Sequence, residues 1–163
     1  MRIVKPVAVI PIFALIAGCI PYTGGDNIKR LTDDLVASAR VGSIVVLDVP
    51  ADVSAEFKPA LEGELRKKTS ECAKGQTELS LEVNIAEVKK QNVAKTIFLG
   101  DSNGIKGQAR LIRPATGEVV GDYEIFHSVG GGGAAVAVGL SGAERQMAVD
   151  FADAVCARAF RPK

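Results

Sequence analysis

Three cysteines and one histidine are the residues of this 163-residue chain best suited to chemistry, and their spacing restricts what that chemistry can be. Cys19, Cys72, Cys156 and His127 lie far apart, with no Cys-x-x-Cys and no second histidine. The ligand spacing of a metal site is missing, and no metal is expected. His127 has no sequence neighbour that would make it the base of a triad, and beyond residue 18 there is no Ser-x-x-Lys pair. Gly139-Leu140-Ser141-Gly142-Ala143 misses a Gly-x-Ser-x-Gly elbow by one position, and Gly100-Asp101-Ser102-Asn103-Gly104, which has that spacing, reads as a turn. His127 therefore reads as a polar residue at a strand end, no catalytic residue is assigned, and the chain is expected not to be an enzyme.

Gly130-x-Gly132-x-x-Ala135 has the spacing of a dinucleotide fingerprint, in which glycines let the backbone approach a pyrophosphate at a helix start. The context is wrong, because no parallel βαβ unit is expected around it and the next helix begins only near Ser141. No cofactor is expected. The segment from Gly130 to Leu140 reads as a link between a strand and a helix. Its functional reading is a partner-binding loop that presents Gly130, Gly131, Gly132, Gly133, Val136, Val138 and Leu140 as an apolar contact surface.

Composition sets the outer bounds. A chain of this length, 47% hydrophobic and 24% charged, builds one globular domain. Twenty basic residues against nineteen acidic ones give a formal charge of +1, so the excess of cations that nucleic-acid binding requires is absent. The charged run from Glu62 to Lys68 is the solvated face of a helix.

Residues 1–18 have the layout of a processing segment. Arg2 and Lys5 form a positive start, Val7 to Ile16 is apolar, and Ala17 and Gly18 are small. The apolar stretch is too short to span a bilayer, which takes roughly 20 residues, and Pro11 interrupts it. Ile16-Ala17-Gly18-Cys19 resembles the lipobox of bacterial lipoproteins, in which the thiol is lipidated and the chain is cut before the cysteine. The resemblance implies that Cys19 is the first mature residue and the membrane anchor. Two or three acyl chains anchor stably where one does not. Ile20, in place of the Asp that typically retains lipoproteins at the inner membrane, implies the outer membrane.

With Cys19 lipidated, Cys72 and Cys156 remain as an even pair in an exported domain, which an oxidising compartment would join. The bridge would close 84 residues and contribute roughly 4 to 5 kcal/mol in the chain-entropy treatment. Two separately buried thiols are the alternative.

The elements that would carry these residues follow from periodicity. Residues 19–27 are rich in turn formers and read as a tether, leaving 28–163 as the domain. Ile28, Leu31, Leu35 and Val36 predict a first helix up to Arg40. The β-branched run Ser43 to Val49 predicts a central strand buried on both faces. Phe57, Leu61 and Leu65 predict an amphipathic helix ending near Cys72 to Gly75, with Pro59 either in its first turn or at a kink. Leu79, Leu81, Val83 and Ile85 alternate as in a half-buried strand, and Ala86 and Val88 break the parity, which suggests a bulge. Gly100 to Gly104 reads as a turn. A strand from Ile105 then turns back through Arg113 to Glu118 into Val119 to His127. Ser141-Gly142-Ala143-Glu144 forms a capping box for a last helix lined by Met147, Phe151, Ala154 and Val155. The order is helix, strand, helix, strands, hairpin, helix. The fold class is α+β, with a mainly antiparallel sheet covered by helices on one face.

This order, with the Pro114-Ala115-Thr116-Gly117-Glu118 turn and the glycine-rich lead into Phe151-Ala152-Asp153-Ala154, resembles small Gram-negative lipoproteins with CsgG-like, TolB N-terminal or LptE-like accessory domains. That resemblance implies a non-enzymatic binding or scaffold role in envelope assembly. The partner would be another envelope protein or a second copy. The alternative is a carrier of a small apolar or lipid ligand.

Overall fold

The computed structural model describes residues 20–90, 92, 101–131 and 142–161. Among the described residues six strands form one sheet: β1 (Ile20–Gly24), β2 (Asn27–Lys29), β3 (Ala39–Val46), β4 (Thr77–Lys89), β5 (Asp101–Arg113) and β6 (Glu118–Gly131). The helices described with them are α1 (Asp33–Ser38), α2 (Phe57–Cys72) and α3 (Ala143–Ala159). The strand order is β1-β6-β5-β4-β3, with β2 also on β6. Every pairing is antiparallel except β3 with β4, which α2 connects as a parallel crossover. The expected α+β class, with helices packed on the sheet, is therefore observed.

Alternation decides which face the helices cover. Leu79, Leu81, Val83 and Ile85 of β4, Ile105, Ala109 and Leu111 of β5, and Tyr123 and Ile125 of β6 are all buried. Phe57, Leu61 and Leu65 from α2 and Met147, Phe151 and Val155 from α3 complete the same core. Each such side chain contributes about 1.5–3 kcal/mol by leaving water. Gly107 sits on this face where a Cβ would stand 2.7 Å from the Asn84 carbonyl and 3.1 Å from the Phe151 ring, so its missing side chain sets how closely α3 approaches. The other face is polar, carrying Arg40–Glu78 and Lys106–Glu124 ion pairs and a Gln108–Asp122 hydrogen bond.

Several expectations stand. Pro59 is the third residue of α2, where its missing N–H has no intrahelical partner to lose, so the helix runs without a break. The parity break after Ile85 is a register shift between Ile85 and Glu87. The β5–β6 turn closes through the Gly117 N–H to the Arg113 carbonyl at 2.9 Å, with Gly117 at φ 71°.

Others are corrected. The first helix shrinks to six residues, because Ile28 belongs to β2 and Thr32 caps α1 by accepting from the Leu35 N–H. Ala39, expected inside that helix, already starts β3. The run expected to be the central strand is instead at the sheet edge, starts earlier and ends at Val46. Only one of its faces is covered, by α2, so Val45 and Leu47 are exposed. An apolar run reports burial of some side chains and not the number of neighbouring strands. Residues 101–104, expected as a turn, extend β5 and pair with Ser128 to Gly131. The tether is also corrected, since Ile20 to Gly24 pair with Gly130 to Phe126 as an edge strand. Ser141 lies outside the described residues. Glu144 does not cap α3; its carboxylate accepts from the backbone N–H and hydroxyl of Ser54 and pairs with Lys90.

Candidate functional site

The cysteines are placed by two helices. Cys72 closes α2, Cys156 lies in the last turns of α3, and the two are bonded with Cα atoms 5.9 Å apart. The disulfide joins the two helices that cover the sheet. Cys19 lies outside the described residues, and Ile20, the next position, lies in β1.

Gly130 and Gly131 are not loop residues; they end β6, where Gly130 pairs with Ile20 on one side and Ser102 on the other. Gly132, Gly133, Val136, Val138 and Leu140 lie outside the described residues.

His127 is buried, contrary to the expectation of an ordinary strand end. It faces the helices, where its Nδ1 is 2.6 Å from Thr23 Oγ1 on β1. On the other side of the ring, Nε2 stands 3.3 Å from Asp150 Oδ2 on α3. That approach is close enough for an ion pair but off the line that a hydrogen bond requires. Asp150 is itself held by Gln146 Nε2 at 2.9 Å. Hydroxyl, imidazole and carboxylate in sequence are the order of a hydrolytic triad. Here the loose contact to Asp150 and a mid-strand threonine make the cluster a tie between β1, β6 and α3.

A cleft of about 430 Å3 opens beside Tyr123 of β6, between the β2–α1 segment and the end of α3. Arg30, Arg158 and Arg161 line it against one carboxylate, Asp33. Arg158 Nη1 donates to the Gly25 carbonyl at 2.8 Å. The Asn27 carboxamide, with its oxygen turned toward Arg30, accepts from Nη2 and Nε at 2.8 and 3.1 Å. Tyr123 forms part of the wall, its hydroxyl accepting from the Leu31 N–H at 2.9 Å. Burial pushes the Tyr123 phenol up, against the opposing pull of that N–H and of Arg30. Sequence reading missed this cleft because Arg30 is more than 120 positions from its partners. Only Arg158 and Arg161, three apart at a chain end, leave a local trace.

Among the described residues no group of three or more His, Cys, Asp or Glu has metal-binding geometry. No described helix is long and apolar enough to cross a membrane.

No family model matches the chain, and no curated protein sequence does. Solved structures that superpose on it include two PelC dodecamers from Paraburkholderia phytofirmans. One is a point variant at 12% identity and the other is 13% identical; each is covered in full and covers 87% of this chain, with a TM-score of 0.43. A candidate lipoprotein from Caulobacter crescentus CB15 is 13% identical, with 70% of this chain and 85% of that one covered, again at a TM-score of 0.43. At this degree of similarity they carry no inference about what the chain binds.

Proposed function

We propose that this chain is a lipid-anchored module of the outer membrane, facing the periplasm, that binds another envelope component without catalysing a reaction. The observation that carries the reading is the place of Cys19 beside the sheet. The lipobox-like motif ends at Cys19, and the residues that follow it, Ile20 to Gly24, form an edge strand of the domain. Nothing between 20 and 24 is spare chain; those residues pair with β6. The Cys72–Cys156 bond supports the same address, since disulfides persist in oxidising compartments such as the periplasm.

The test is the intact mass of the membrane-extracted protein beside a Cys19→Ala variant. The expected result is a chain of residues 19–163 carrying acyl groups, absent from the variant, with Cys72 and Cys156 alkylated only after reduction. A mass that retains Met1 and carries no acyl group overturns the anchor. Crosslinking of the anchored protein then separates a second copy from a different envelope protein.

A further inference from the structure

Among the described residues Lys29, Arg40, Lys67, Lys68, Lys89, Lys90, Lys106 and Arg113 each meet a carboxylate, and the unpaired cations Lys58, Arg66, Lys74, Arg110 and Arg145 are not among those that line the cleft. Arg30, Arg158 and Arg161 form no ion pair among the described residues, although they line one cleft and Asp33 is beside them. A helix C-terminus favours cations, which accounts for finding Arg158 and Arg161 at the end of α3. It does not account for Arg30, which approaches from the β2–α1 segment. Three guanidinium groups facing one space repel one another, and an anion between them removes that repulsion.

The chemistry of the lining narrows the ligand. A guanidinium presents a planar fork of donors that fits carboxylate and phosphate oxygens two at a time. The cleft, about 430 Å3, is of the size that small ligands occupy, and Leu31, Val36 and Tyr123 give it an apolar side.

Topology says which way the cleft faces. Cys19 adjoins Ile20, which pairs with Gly130, whereas Tyr123 stands seven positions back along β6. At ~3.3 Å per residue that places the cleft about 23 Å from the anchored end. The headgroup layer of one leaflet is only about 5–8 Å deep. We infer that the cleft of Arg30, Arg158 and Arg161 binds a soluble ligand bearing phosphate or carboxylate groups, beyond the headgroup layer of its own membrane. The orientation rests on the anchored reading above; the anion site does not.

Calorimetric titration of the full, detergent-extracted chain with inorganic pyrophosphate, and separately with trigalacturonate, tests the site. Saturable binding of at least one probe is expected, weakened at least about tenfold in an Arg30→Gln, Arg161→Gln double variant and partly restored by the Lys pair. An unchanged melting temperature in both variants separates loss of the site from loss of the fold. No saturable binding below about 10 mM, or equal affinity in the Gln variant, overturns the site. Flotation of the Cys19→Ala protein with phosphatidylcholine vesicles, with and without phosphatidylglycerol, separates the two sources of such groups. Phosphatidylglycerol-dependent flotation that the Gln variant loses assigns the arginines to a headgroup and overturns the soluble ligand. Pyrophosphate or trigalacturonate binding by a native chain found without acyl groups supports the anion site and removes only its orientation.

Discussion

Thr23 Oγ1 lies 2.6 Å from Nδ1 of His127, so the first described strand after Cys19 is fastened to a buried imidazole on its neighbouring strand β6. Backbone pairing alone would leave β1 a five-residue edge strand.

Removing the hydroxyl is expected to loosen that strand. Thr23→Val keeps the shape of the side chain, strands Nδ1 in the interior and costs about 1–2 kcal/mol. Amide exchange should quicken in residues 20–24 more than in β4 or β5. Uniform protection across the sheet would show that the bond does not hold the edge.

The disulfide should be worth more than any single core contact. Replacing Cys72 and Cys156 together with Ser is expected to lower the free energy of unfolding by about 2–5 kcal/mol, read from the denaturant midpoint. Reduction of the native protein should reproduce that loss.

Two glycines should respond in opposite directions. At Gly75 a Cβ would fall 1.8 Å from the Ser38 carbonyl oxygen, which is backbone and cannot step aside, so Gly75→Ala forces the α2–β4 link away from the start of β3. Gly63 lies within α2 with nothing inside 4 Å of its Cβ position, and Gly63→Ala should stabilise by about 0.5–1 kcal/mol. Thermal melts of the two variants measure both signs.

Acid should weaken the fold through two carboxylates. The Asn92 N–H, the Lys89 ammonium and the Ser102 N–H hold the Asp101 carboxyl well below its usual range. Burial pushes Glu144 up, but the bonds from Ser54 and Lys90 outweigh it, and its net direction is also down. A depressed folded pKa means that the unfolded chain takes up the proton first. The stabilisation is therefore complete above the ordinary carboxylate range, about pH 4, and declines as pH falls below it. Urea midpoints between pH 6 and pH 3 should fall less steeply in Asp101→Asn and Glu144→Gln than in the native chain.

Elements whose cause is local were legible in the sequence. Phe57, Leu61 and Leu65 specify α2 by spacing, the parity break after Ile85 specifies the bulge, and the Arg113 to Glu118 turn carries its own hydrogen bond. Elements that exist only because of a distant partner were not. Pro21, Gly24 and Gly25 look like spacer residues until β6 pairs beside them, and Asp101 to Gly104 look like a turn until β6 and β4 straighten them. The edge position of β3 depends on sheet order, which its own composition does not contain. His127 gave no hint of burial, because Thr23 and Asp150 reach it from 104 positions before and 23 after. The arginine cleft was hidden for the same reason.

The five consecutive pairs between β1 and β6 also fix how the domain bears load. β1 runs antiparallel along β6, so tension applied at its Ile20 end along the strand axis slides β1 lengthwise against β6. In that shear geometry the ladder bonds and the Thr23–His127 contact resist together, where a strand peeled sideways would give them up one at a time.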